Sequence, residues 1–384
     1  MKYIKYLIEV FGFPKLILYI FLWIFRPLLR MNTRLLDIYK EKAYANKILY
    51  LKQLNNVPAN NLQYKSEIKS YFNRYGIKIN TYWHYCYAHI NGNLSVKYIP
   101  EFNYYTEIEP RLNNLQMSDA YGDKNIYDQL FKGVHMPDSS LRCMNGVYHD
   151  KFYTKLLNEE DVLAALKPDQ LYIAKPSIDG QGGKGIYKFM RKNESLFLGD
   201  EKLSPAELPH KYQKDFIIQP FVNQHASIKK VYPHSLNTIR VLTLRLDHQI
   251  KILSMVIRFG NHGGFVDNNS AGGLCCGVKF DGSLKYFGMD IHFKKYKSHP
   301  YTGIPFDGVQ IPNINKVKLL AKELHEKMIY FDIISWDIAL DINSDPVFIE
   351  MNLKDQGINF HQTTNGPLFG DYTDQIMGQI YLRG

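Results

Sequence analysis

Cysteine is scarce in this chain of 384 residues: four are present, Cys86, Cys143 and the adjacent Cys275 and Cys276. Their spacing fits no zinc site and their density no disulfide scaffold, so both classes are excluded and a reducing compartment is expected. Neither of the two common phosphate loops occurs. No glycine-rich segment runs through Lys-Ser or Lys-Thr into a helix, and none opens the helix of a dinucleotide-binding unit. Internal repeats and low-complexity linkers are absent, which removes solenoids and disordered tethers. Apolar runs fall short of a membrane span: the block from Leu16 to Phe25 has ten residues, and a transmembrane helix needs about 20. Arg26-Pro27-Leu28-Leu29-Arg30 follows it in place of a small-residue cleavage site, which does not fit a secretory signal. Beyond residue 78 there is no excess charge of either sign. Residues 1–78 carry 14 Lys and Arg against 4 Asp and Glu, which accounts for the whole net charge of +10, and the rest holds 33 of each. A nucleic-acid reader would spread its basic face more widely, so no nucleic-acid partner is expected.

What is present is a globular composition, 45% hydrophobic, enough for two or three domains. Pattern shifts separate a basic, hydrophobic helical segment at 1–54, an α/β domain at 55–165, and two further units divided near 225. The apolar block, with Tyr19, Trp23 and flanking Lys and Arg, reads as an interfacial helix lying in the cytoplasmic leaflet. That would make the protein cytoplasmic and peripheral on the inner face of the membrane. A helix packed on the protein's own core or in a homo-oligomer interface is the other reading. The aromatic stretch Tyr82-Trp83-His84-Tyr85-Cys86-Tyr87-Ala88-His89 reads as core packing of a small domain ahead of stacking on sugar rings.

Two runs rich in β-branched residues, 333–341 and 347–352, joined through Asn343-Ser344-Asp345-Pro346, predict a β-hairpin. Alternation puts Glu350 and Asn352 in one row with Phe348, turns Ile349 and Met351 to the other face, and lets Asp337 lie opposite on the partner strand. Two carboxylates and an amide oxygen on a rigid sheet suit Mg²⁺. Solvated acids on an ordinary hairpin are the alternative, although carboxylates packed among Ile, Val, Phe and Trp are costly to desolvate without a cation.

Upstream, the strand 171–174 delivers Lys175-Pro176 into Ser177-Ile178-Asp179-Gly180-Gln181-Gly182-Gly183-Lys184-Gly185, and a second strand follows at 186–190. Such glycine density permits positive φ and close backbone approach, so N–H groups can wrap phosphate oxygens. A strand-loop-strand with a lysine at its mouth reads as a flap over a nucleotide, with a mobile surface hairpin as the alternative. The strand 215–222 ends in Gln219-Pro220-Phe221-Val222, whose extended backbone could read an adenine edge. The strands 235–244 and 252–259 carry Arg240 and Arg258 inside apolar sequence, where each needs an anionic partner. A phosphate suits Arg240; for Arg258 a neighbouring acid competes with it. The glycine-rich loop 263–273 suits a substrate, and 313–330 predicts an amphipathic helix.

A lysine at the mouth of a glycine flap, an extended hinge, an inward arginine and Asp…Glu-x-Asn on a terminal hairpin, in that order, resemble the ATP-grasp superfamily. Asp123-Lys124-Asn125, Ala174-Lys175-Pro176, Asn237-Thr238-Ile239-Arg240 and Gly366-Pro367-Leu368-Phe369-Gly370 are similar to its sugar-transfer-associated branch, related to α-L-glutamate ligases. The likeness covers residues 75 to 375. It implies an α+β ATP-grasp fold in which a lid subdomain at 166–225 and a catalytic subdomain at 226–384 sandwich ATP, with the N-terminal helical extension outside. It also implies an ATP site made of Lys124, Lys175, Ser177, Gly180, Gln181, Gly182, Gly183 and Gly185 at the phosphates and Gln219, Pro220, Phe221 and Val222 at adenine. Asn237 would also contact the nucleotide and Arg240 would face the γ-phosphate, Mg²⁺ would sit on Asp337, Glu350 and Asn352, and Lys175, Arg240 and Arg258 would be the catalytic cations. Gln219 departs from the acid many relatives carry, and Asn223 or Gln224 from the carboxylate that often meets the ribose. The implied reaction is activation of a carboxylate as an acyl phosphate and its displacement by an amine, decorating a surface polysaccharide or its lipid- or nucleotide-linked precursor. The alternatives are a kinase of a sugar or glycolipid hydroxyl, with His361 or Asp355 as base, and a non-catalytic nucleotide-binding scaffold. Deleting residues 1–30 is expected to release the protein from the membrane fraction of cells, and an unchanged fraction would remove the anchor.

Overall fold

Apolar runs this dense form strands buried on both faces, which need cover from helices on each side. The computed structural model describes residues 61–178, 185–212, 214–267 and 272–382. The expected anchor segment and residues 179–184 of the glycine flap lie outside them. Residues 57–384 form one compact unit. It opens with α1 (Leu62–Asn73), capped by Asn61 Oδ1 accepting from the Tyr64 amide at 2.9 Å, and α2 (Tyr82–Asn91), ended by Gly92 at φ 77°. The aromatic stretch is therefore helical, and Trp83, Tyr85 and Tyr87 are buried in it.

The first antiparallel sheet contains β1 (Leu141–Met144), β2 (Val147–His149), β3 (Leu171–Pro176), β4 (Tyr187–Lys192), β5 (Ser195–Leu198), β6 (Glu201–Leu203) and β7 (Phe216–Pro220), in the order β2-β1-β7-β3-β4-β5-β6. Its core lies on one face. Tyr172 and Ala174 pack there with Phe189, Leu196 and Phe216, beside Val162 and Leu163 of α3 (Glu159–Ala164). The intervening Ile173 and Lys175 turn to the other face by the two-residue period of a strand, and that face borders a cavity.

The second sheet runs β12-β11-β10-β9-β8-β13-β14. Its strands are β8 (Ile239–Leu246), β9 (Gln249–Phe259), β10 (Leu274–Val278), β11 (Leu284–Met289), β12 (Lys295–Tyr296), β13 (Ile333–Leu340) and β14 (Pro346–Asn352). On one face Val317, Leu320, Ala321 and Leu324 of α4 (Ile314–Glu326) join Val241, Ile257 and Trp336. α4 ends short of residue 330 because Met328 and Phe331 turn back into that core. On the other face Leu242, Leu244 and Ile333 meet Ile68 and Phe72 of α1. The remaining cover is α5 (Ile358–Asn365), whose Asn365 Nδ2 donates to the Met255 carbonyl at 2.8 Å, and α6 (Thr373–Tyr381), which contributes Ile376 and Met377.

The hairpin β13–β14 forms as expected, with one correction to its faces. Asp337 pairs with Glu350 but Ile338 pairs with Phe348, so Ile349 is an extra residue, a bulge. Phe348 and Met351 consequently both enter the core, and Ile349 joins Glu350 at the cavity.

Thr243 holds this sheet to α4. Its Oγ1 accepts from Trp336 Nε1 at 2.8 Å and lies 2.6 Å from His325 Nδ1, and His325 Nε2 lies 2.9 Å from the Phe331 carbonyl. The carbonyl can only accept, so Nε2 carries the proton and Nδ1 is an acceptor for the Thr243 hydroxyl, whose one proton is shared between it and the Ile334 carbonyl at 3.1 Å. Burial keeps this imidazole neutral, with a pKa lowered to about 3. Thr243→Val strands a buried indole N–H and an imidazole nitrogen, and is expected to lower stability by about 3 kcal/mol in urea unfolding. An unchanged midpoint would show that the shared hydroxyl contributes nothing.

Candidate active site

The two sheets border a cavity of about 640 Å³, a size usual for small-molecule sites. β3 and the end of β7 line one side; β8, β9, β13 and β14 line the other. Of the residues picked out in the sequence, Lys124, Lys175, Gln219, Pro220, Phe221, Val222, Arg240, Arg258, Asp337, Glu350 and Asn352 all reach this one space.

Lys175 is carried in by the last turn of the β3 alternation. Its side chain is buried, and its ammonium has no hydrogen bond or ion pair among the described residues. Burial, then the charge of Lys124, outweighs the attraction of Glu350 and lowers its ammonium to about 8. Lys124 arrives on a tight turn that Asp123 caps by accepting from the Asn125 amide at 2.9 Å, and its own N–H donates to the Ser177 carbonyl at 3.0 Å. Its Nζ lies 2.9 Å from Glu350 Oε1, so a cation from the turn beside the first sheet meets a carboxylate from the second.

The floor is an arginine–aspartate cluster. Asp337 stands directly across from Arg240 in the β13–β8 register, and Arg240 Nε and Nη2 donate to its two oxygens at 2.8 Å each. Arg258 Nη2 donates to Asp337 Oδ2 at 2.9 Å and to Thr238 Oγ1 at 2.8 Å, and lies 3.5 Å from Asp267 Oδ1. Burial alone would raise the Asp337 carboxyl, but the two arginines outweigh it and bring it down to about 2. The anionic partner that Arg240 was expected to find in a phosphate is thus supplied within the protein. Asn352 completes the group, with Nδ2 3.3 Å from Asp337 Oδ2 and Oδ1 3.5 Å from Arg240 Nη2.

Several expected contacts are taken up within the protein, and some of the residues lie off the cavity. Asn237 is buried behind the wall, donating to Gln224 Oε1 at 3.0 Å and the Tyr232 carbonyl at 2.8 Å. Gln224, one of the two residues standing where relatives often carry a ribose-binding carboxylate, holds the same loop through the Ser235 carbonyl at 2.6 Å. Gln219 donates to the Pro137 carbonyl at 3.0 Å, and the Phe221 amide is spent on the Leu171 carbonyl at 3.1 Å. Ser177 is fully buried. Gly185, at φ 74°, lies so close to Pro176 that an added Cβ would come within 3.0 Å. Gly180, Gln181, Gly182 and Gly183 are outside the described residues. His361 is buried against Ser254, with its imidazole lowered to about 3 by burial, whereas Asp355 reaches the cavity. The Cys275 thiol also lines it but is pushed up to about 12 by burial, consistent with a packing role. Sequence reasoning allowed an acid beside Arg258 but did not single out Asp267, which lies in a glycine-rich loop with no strand alternation to point it at Arg258.

Residues 103–376 match the sugar-transfer associated ATP-grasp family. No curated protein matches the chain in sequence. Similar solved structures include an ATP-grasp superfamily protein from Archaeoglobus fulgidus, at 12% identity over 66% of this chain and 52% of that one, TM-score 0.34. The chain therefore spans about half the length of that protein. A D-alanine–D-alanine ligase from Bacillus anthracis is 14% identical over 74% and 77% of the two chains, TM-score 0.37. An L-amino acid ligase from Bacillus licheniformis is 10% identical over 80% and 58%, TM-score 0.35.

A buried ammonium with no partner among the described residues, lowered to about 8, gives a pH-dependent anion site. A bound polyanion stabilises the charged form and raises its pKa, so binding takes up a proton above pH 8 and weakens as pH rises. Calorimetry of tripolyphosphate binding at pH 8.5 in buffers of different ionisation enthalpy is expected to show this uptake. Equal affinity at pH 7 and 9 without uptake would remove Lys175 from the anion site.

Proposed function

The chain belongs to the sugar-transfer associated ATP-grasp family, and from that footing we propose that it is an ATP- and Mg²⁺-dependent carboxylate–amine ligase working through an acyl phosphate on a sugar-linked substrate. The observation that carries the reading is Lys175, a buried cation without a partner among the described residues, in a cavity whose opposite wall presents oxygen donors. Such an ammonium calls for an anionic ligand, and a triphosphate with its base toward 219–222 answers it.

The oxygen donors fit Mg²⁺. Glu350 uses only Oε1 on Lys124, and Oε2 has no partner among the described residues. Asp337 Oδ1 accepts a single bond, from Arg240 Nε, which leaves a lone pair, and Asn352 adds an amide oxygen beside it. When bound, the ion would offset charge on the phosphate oxygens. Lys124 and Lys175 grip the phosphate chain. Arg240 and Arg258, already fixed by Asp337, offer preorganised positive charge to the transferred phosphoryl group and need little rearrangement during reaction. The carboxylate substrate takes the phosphoryl group, the amine adds to the acyl carbon, and phosphate leaves.

The family's sugar-transfer description supports a sugar-linked substrate, and the basic, apolar segment at 1–30 supports assembly at the inner membrane face. Among the described residues no helix is long and apolar enough to cross a membrane. A kinase remains the second reading because Asp355 reaches the cavity, where a base for a hydroxyl would be needed.

Release of ADP and phosphate that depends on both a carboxylate and an amine is the expected result. Amine-independent phosphorylation of a sugar would establish the kinase, and no nucleotide turnover would leave a scaffold. Glu350→Ala combined with Asn352→Ala is expected to abolish turnover with little change in melting temperature, and retained turnover would remove the metal assignment. Mass spectrometry of the surface glycan from a deletion strain would identify the substituent.

A further inference from the structure

Arg142, on β1, is fully buried and takes no part in the cavity wall. Its Nη1 donates to the Asn125 carbonyl and its Nη2 pairs with the Asp128 carboxylate. The guanidinium lies 4.2 Å from the ring centre of Tyr153. The Tyr153 hydroxyl sits 2.8 Å from the same carbonyl and also contacts Asp128, and its one proton can serve either oxygen. Asn125 Nδ2 donates in turn to the Cys143 carbonyl on β1 at 3.2 Å. The residue between Asp123 and Asn125 in this clamp is Lys124.

The clamped turn continues into Tyr127 and Phe131, which pack on Phe348 and Trp336 in the core of the second sheet. The first sheet therefore holds a piece of chain rooted in the second, at the point where Lys124 reaches Glu350. This joint is not the cheapest arrangement. Tyr153 adopts a left-handed backbone, φ 65°, which aromatic residues rarely do, and such strain persists only where the surroundings enforce it. Arg142 Nε and Asn125 Oδ1 are buried without hydrogen-bond partners among the described residues. A buried arginine with one half-exposed carboxylate partner adds little to stability compared with apolar packing.

We propose that Arg142 and Tyr153 are positioning residues: from the first sheet they set Lys124 in the cavity, where, on the nucleotide reading above, it contacts phosphate. Neither side chain touches the ligand, so each acts only through Lys124.

Titration calorimetry with a non-hydrolysable ATP analogue tests this by double-mutant cycles. Lys124→Met is expected to weaken binding. Arg142→Lys and Tyr153→Phe should each weaken it about tenfold, the scale of one charge-assisted hydrogen bond. Neither should weaken it further in the Lys124→Met background, and additive losses would overturn the proposal. Tyr153→Phe keeps the ring and removes only the hydroxyl, so it serves if Arg142→Lys fails to fold. Acylation of lysines by a water-soluble succinimidyl acetate, read by mass spectrometry, needs no nucleotide. The rate at Lys124 should rise several-fold in both variants while Lys175 stays constant; an unchanged rate at Lys124, or a rise shared by Lys175, would also overturn it. Analogue affinity indifferent to Lys124→Met would instead count against the nucleotide reading, with the labelling still deciding whether Arg142 and Tyr153 place Lys124.

Discussion

One carboxylate ties three strands together at the cavity floor. Asp337 on β13 receives both forks of Arg240 from β8 and a further donor from Arg258 on β9, with almost no exposure to solvent. A carboxylate buried alone would be protonated, and two arginines buried alone would carry an uncompensated desolvation cost. Together they reverse the sign and keep Asp337 ionised down to about pH 2. The folded pKa lies below the unfolded value of about 3.9, so this contribution to stability is fully present above that value and is lost as pH falls toward 2. The cluster also fixes the directions of the two arginines before any ligand arrives.

The two sheets divide the work by how they are covered. The second is enclosed by helices on both faces and supplies the fixed charges. The first is packed on one face only, and its open face presents Lys175 to the cavity. Lys175 is held at a cost that its lowered pKa records, and an anion relieves it. The Lys124–Glu350 contact bridges the two halves, and both side chains sit where either the bridge or a ligand can use them.

The strands of the second sheet were readable because burial on both faces writes them as nearly continuous apolar runs. Lys175, Asp337, Glu350 and Asn352 stood out as polar interruptions in apolar runs, and all four reach the cavity. What did not read through is pairing. The bulge at Ile349 depends on the partner strand and moved Phe348 into the core. Arg240 called for an anion, but nothing local distinguished a phosphate from Asp337. Asn237 was expected at the nucleotide and instead donates to Gln224 inside a loop. The clamp on Lys124 joins Arg142 and Tyr153 to Asn125 and Asp128 through contacts that have no periodicity to announce them.

By itself the sequence determined which segments become buried strands and helices, which side chains are charged within them, and the motif order that marks the family. Those properties follow from local composition, because hydrophobic periodicity and backbone preference act over a few residues. Only the tertiary structure decided which cation meets which carboxylate, that Lys175 is left without a partner among the described residues, and that the donors of β8, β9, β13 and β14 share one space with β3. Electrostatic pairing in a low-dielectric interior depends on separations of a few ångströms between groups far apart in the chain, and that proximity exists only after the sheets have formed.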